Sequence, residues 1–172
     1  MNTLYVAILS TKTLIAAVLP AATHQTTLPD FSFDINVTLS EKAAATLAQK
    51  HEGIKAFASY SGYPLNIADK LVNEAGLIDV SHQPEWSDVP SKGGLAHITG
   101  KSIDPNTLKW VDGAVMVNVN IVSARKSGPD NILDCDVIDG PIPDVKDRAP
   151  ITLHCALISE HPGTEVLPET AP

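Results

Sequence analysis

The alternation of apolar and polar side chains predicts a mainly β protein, an antiparallel β-sandwich with one or two short helices. Two stretches carry that expectation most directly. From Ala114 to Ile121, the residues Val115, Val117, Val119 and Ile121 share one face, and from Phe31 to Leu39 the odd-numbered residues do the same. Side chains two apart must coincide in this way on a pleated strand. The third observation is a pair of cysteines, Cys135 and Cys155, each set among apolar residues of a further alternating segment. A chain of 172 residues allows one domain. At this length a core can be buried without a metal or a dense disulfide framework.

Met1 to Ala22 reads as an export signal, with apolar runs at Leu4–Leu9 and Leu14–Leu19, one cation at Lys12 and small residues at Ala21 and Ala22; an ordinary buried helix or strand is the alternative. Neither run has the length of about 20 residues that a membrane span requires. The segment at 23–30 is expected to be a mobile lead-in, 31–160 the sandwich, and 161–172 a disordered tail rich in Pro, Glu and Thr. After the strand Phe31–Leu39, Ser40 is placed to cap a helix from Glu41 to about Lys50. Gly53 reads as its stop. Ile54–Tyr60 is the next strand, followed by a turn at Ser61-Gly62-Tyr63-Pro64 and a weakly patterned helix over Leu65–Ala75. Leu77–Val80 is a short strand, leading into a polar connection through Pro84, Trp86 and Pro90. Leu95–Thr99 is a strand between glycines. Asp104-Pro105-Asn106 signals a turn, and Leu108–Val111 reads as a helical turn before Gly113. Ser123–Asn131 is turn-rich, Ile132–Ile138 is a strand carrying Cys135, Asp139–Pro150 is a loop, and Ile151–Leu157 is the last strand, carrying Cys155. About seven strands and one definite helix fit an immunoglobulin-like or transthyretin-like sandwich.

Lys and Arg number 12 against 20 Asp and Glu, a net charge of −8, and the two arginines are Arg125 and Arg148. Such a surface repels phosphate backbones and anionic lipid, which argues against nucleic acid as a partner and against direct membrane binding. Both cysteines fall on the apolar faces of their strands. In an exported chain they are expected to form a disulfide closing a loop of about 20 residues; two separate buried thiols are the alternative.

Motifs for chemistry are scarce. The chain has no Gly-x-Ser-x-Gly elbow, no His-Glu-x-x-His, no glycine-rich phosphate loop and no haem attachment motif. His97 and His154 lie on strands and could approach across a sheet to bind a metal, although isolated strand histidines are usually surface residues. The carboxylates Asp130, Asp134, Asp136, Asp139, Asp144 and Asp147 could offer oxygen ligands, but their spacing fits no calcium loop, and Asp134 and Asp136 are expected on an outer face. No metal site and no catalytic residue is therefore assigned. Tyr60, Tyr63, Trp86 and Trp110 are the aromatic residues that could form a platform. The plain expectation buries both tryptophans at loop-to-core junctions; the sharper one makes Tyr63, Trp86, Trp110 and Arg125 interface anchors, residue types that carry disproportionate binding energy. Asn118 and Asn120 line the face opposite the core valines. Asn36-Val37-Thr38 matches the glycosylation acceptor pattern.

At Tyr60-Ser61-Gly62-Tyr63-Pro64, at Ser123–Asn131 with Asp134-Cys135-Asp136, and at His154-Cys155, the sequence resembles small exported bacterial proteins. Among them it is similar to the small third subunit of membrane-bound quinohaemoprotein alcohol dehydrogenase. The resemblance implies a non-catalytic accessory protein that stabilises or assembles that complex. It would be periplasmic or secreted, held at the outer face of the bacterial inner membrane through a larger dehydrogenase subunit and a cytochrome c subunit. Pyrroloquinoline quinone and haem c would sit on those partners and no cofactor on this chain. The competing expectation is a free periplasmic binding module for a small ligand or metal.

Overall fold

A computed structural model describes residues 29–66, 71–161 and 163–168. The expected signal at 1–22, most of the lead-in at 23–30 and the middle of the expected helix over Leu65–Ala75 lie outside the described residues. Among the described residues, ten strands run in chain order as β1 (Phe33–Leu39), β2 (Ile54–Pro64), β3 (Ile78–Asp79), β4 (Glu85–Val89), β5 (Gly94–Ile98), β6 (Val111–Ser123), β7 (Leu133–Cys135), β8 (Val137–Pro141), β9 (Ile151–Leu157) and β10 (Val166–Leu167). Two helices, α1 (Glu41–Gln49) and α2 (Ile142–Arg148), accompany them. One sheet has the order β5-β1-β9-β7; the other runs β10-β8-β6-β2-β3, with β4 also on β2. The protein is mainly β, with two sheets and short helices, as its sequence predicts.

The inner faces of the two sheets share one apolar core. Ile35, Val37 and Leu153 from the first sheet and Ala58, Tyr60, Val117 and Val119 from the second are almost wholly buried. Each fully buried Val, Leu or Ile contributes roughly 2 kcal/mol relative to exposure. The pairing is not purely antiparallel: β1 runs parallel to β9, and β10 parallel to β8. α1 starts where expected, because the Ser40 side chain accepts the Ala43 N–H at 3.0 Å and so satisfies one of the free donors at the helix start. It buries Ala43 and Leu47.

Several segments differ from expectation for identifiable reasons. Ser61–Pro64 continues β2 through a register shift between Ser61 and Tyr63 instead of turning. Gly62 is required there by close approach, since a Cβ at that position would collide with the Val111 side chain. Gly53 does not end α1; the left-handed residue His51 does, at φ 50°. The polar connection around Trp86 is the strand β4, whose inward residues are Glu85 and Val89. Ile132–Ile138 is two strands, β7 in the first sheet and β8 in the second, divided at Asp136. The expected loop Asp139–Pro150 contains the end of β8 and α2, which buries Ile142 and Val145. The tail is ordered at Val166–Leu167, where β10 pairs with β8.

Candidate functional site

Cys135 and Cys155 are directly opposed on β7 and β9 and form a disulfide, with Cα atoms 4.0 Å apart. Both are buried. The covalent link lies within one sheet and encloses β8 and α2.

The four candidate anchors divide between two ends of the second sheet. Tyr63 is 59% exposed beyond the β2 irregularity. Trp110 ends a short 3-10 turn, Leu108–Trp110, at the same end, where its carbonyl accepts the Leu65 N–H at 2.9 Å and Lys109 lies 4.9 Å over its ring. Trp110 is only partly buried. At the other end, Trp86 on β4 sits opposite Phe57 on β2, with ring centroids 5.3 Å apart. Trp86 is 50% exposed, so it is not the buried junction residue of the plain expectation. A pocket of about 330 Å³ brings Trp86 and Phe57 together with Lys55, Val122 and Arg125. Lys55 is already paired with Asp88 at 3.1 Å.

The loop after β6 places Arg125 at this pocket. Arg125 has φ 58°, a left-handed conformation that side-chain-bearing residues adopt only at a cost in energy. Glu52 supplies the constraint. Its carboxylate, nearly buried, accepts the N–H of Gly53 at 2.8 Å, of Lys126 at 3.0 Å and of Ser127 at 2.7 Å, and the Ser127 hydroxyl at 2.7 Å. Burial opposes ionisation here, yet the hydrogen bonds from Ser127, Lys126 and Gly53 prevail and hold the carboxyl at about 2. Gly53 matters as a site of close approach, since a Cβ there would stand 3.1 Å from both Ala124 Cβ and Lys126 Nζ.

Two further buried carboxylates had no distinguishing signal in the sequence. Glu85 accepts the Tyr60 hydroxyl at 3.1 Å and both the N–H and hydroxyl of Thr99 at 2.7 Å. Burial, together with the negative charge of Glu85, pushes the Tyr60 hydroxyl far above the usual tyrosine range. Asp136, expected on an outer face, is buried at the crossing between sheets and accepts the His154 N–H at 2.8 Å and the Glu165 N–H at 3.0 Å. Asp134 accepts the Thr164 hydroxyl at 2.8 Å.

His97 and His154 do not meet. They flank β1 from opposite sides, His97 beside Asp34 at 2.7 Å and His154 beside Thr38 at 3.2 Å, four residues apart along the strand. Among the described residues, no group of three or more His, Cys, Asp or Glu side chains is arranged to hold a metal ion. Asn118 and Asn120 are partly buried and hydrogen-bond to each other, while Asn36 donates to Thr152 at 3.3 Å. A separate apolar groove of about 490 Å³ lies between Phe31, Leu108, Val115 and Ile142, with the Lys146–Asp30 ion pair on its wall.

These features define a disulfide-bonded, two-sheet β protein in which Phe57, Trp86, Lys55 and Arg125 share a pocket at one end of the second sheet. No family model matches the chain, and neither the curated proteins nor the solved structures contain a significant match to it.

Proposed function

We propose that this protein is a non-catalytic accessory subunit of a periplasmic complex, and that the complex is the membrane-bound quinohaemoprotein alcohol dehydrogenase to which its motifs are similar. The observation that carries the docking role is the half-exposed Trp86, whose ring is tilted 43° against that of Phe57 and which shares a pocket with Arg125. A large aromatic side chain held outward on a rigid strand offers contact area at low entropic cost, which suits an interface anchor. Export fits the disulfide, since such bonds persist in oxidising compartments. Quinone and haem c would reside on the larger dehydrogenase and cytochrome subunits, which would also supply the attachment to the membrane.

Gentle solubilisation of host membranes and periplasm, followed by capture through an affinity tag on this chain, tests the assignment. Stoichiometric recovery of a quinoprotein dehydrogenase and a multihaem cytochrome is expected, with recovery reduced by Trp86→Ala. Capture of the chain alone would overturn it. A binding module is the second reading, favoured by the apolar groove beside Lys146. Native mass spectrometry of the purified protein would then reveal a co-purifying small molecule.

A further inference from the structure

We propose that the Phe57–Trp86–Arg125 pocket recognises an acidic side chain of a partner protein segment, with the carboxylate forked by Arg125 and a neighbouring flat apolar side chain packed on Trp86 and Phe57. The inference rests on the docking role proposed above and adds the chemistry of the occupant.

Charge is the first argument. In a chain with 20 carboxylates, Arg125 is exposed and makes no hydrogen bond or ion pair among the described residues. Lys55, the other cation of the pocket, is neutralised by Asp88. Arg125 is thus the pocket's uncompensated charge. A guanidinium suits a carboxylate because its planar fork donates two parallel hydrogen bonds. The pocket's remaining wall, from Phe57, Trp86 and Val122, is apolar and selects a flat group beside the acid.

Backbone conformation is the second argument. Arg125 sits at φ 58°, in the left-handed region. Glu52 imposes it from below, by gripping the two residues that follow Arg125. A residue held in a disfavoured conformation by an over-determined surrounding is a recurrent feature of ligand sites. Here the grip aims the arginine at the pocket. Glu52 acts as a positioning residue, since its own carboxylate is consumed by the loop and does not reach the occupant.

A random peptide display library selected against the full chain tests the proposal. Enriched peptides are expected to carry Asp or Glu beside an aromatic residue or Pro, to perturb Trp86 fluorescence, and to weaken with added salt. Arg125→Gln should lower their affinity at least about tenfold, Arg125→Lys less, and neither should change thermal unfolding. Glu52→Gln should weaken binding, and combined with Arg125→Gln it should add nothing further, as expected for residues acting as one unit. Should Glu52→Gln fail to fold, Ser127→Ala removes one of the same hydrogen bonds, that of the hydroxyl, and leaves the backbone N–H in place. Enrichment without acidic preference, or binding indifferent to Arg125→Gln, would overturn the inference. Additive losses would remove Glu52 from it. Acid-selective peptides without a captured dehydrogenase would leave this site standing and sink the subunit assignment; capture undiminished by Arg125→Gln would do the opposite.

Discussion

Three buried carboxylates determine how the loops attach to the sandwich. Glu52 has the clearest consequence for pH. Its pKa in the folded chain is about 2 against an ordinary 4.5, so its stabilisation is fully present above the unfolded value and is lost as pH falls toward the folded one. The contribution near neutrality is on the order of 3 kcal/mol. Glu52→Gln should destabilise the protein to that order at neutral pH, and the gap from the parent should narrow as pH falls from about 4.5 toward about 2, as denaturant titrations at several pH values would show. Tyr60→Phe removes one of the three donors to Glu85 and should cost about 1–3 kcal/mol, the usual penalty for leaving a buried acceptor short of a partner. None of these roles was legible beforehand. Glu52 meets loop residues more than 70 positions away, and nothing in a single acidic letter distinguishes such a partner from a solvated charge. The candidate anchors were legible by residue type, but the pocket shared by Trp86 and Arg125 was not.

Whether an element announced itself in the sequence depended on what its inward face carried. β1, β6 and β9 were readable because their buried faces are runs of Ile, Val and Leu. β4 was not, because Glu85 points inward and Trp86 outward, which inverts the pattern that hydrophobic alternation detects. α2 was hidden by Pro141 and Pro143, which suggest a loop yet are well tolerated at a helix start. Asp144 in its first turn and Lys146 and Arg148 in its last suit the helix dipole, while Asp147 opposes it. Asp136 shows how much one residue contributes between elements, since its two oxygens accept one N–H from β9 and one from the residue preceding β10. Asp136→Asn would turn an amide donor toward one of those N–H groups. A loss of about 1–3 kcal/mol and faster hydrogen exchange at Val137 and Val166 are expected; unchanged exchange would show that the β10 pairing stands without it.

For the molecule as a whole, the disulfide supplements a core that is already continuous between the sheets. Replacing Cys135 and Cys155 together by Ser should lower unfolding free energy by about 3 kcal/mol while the far-ultraviolet circular dichroism keeps its β signature. Complete unfolding of that variant would mean the apolar core is insufficient alone. The sandwich itself was legible because its period-two signal recurs over many strands. The division of those strands between sheets was not, since the crossing at Asp136 is set by long-range pairing with β9 and β6.

The position of β1 has a consequence for how the chain is made. It lies inside its sheet, between β5 and β9, and its contact with β9 joins residues 116 apart, as at Asn36 and Thr152. A polypeptide emerging from its amino end presents this apolar strand more than a hundred residues before its second neighbour. Until β9 is made, β1 keeps an open edge, the kind of surface that invites misassociation. The first sheet cannot close strand by strand as it appears, because the inner strand must wait for β9.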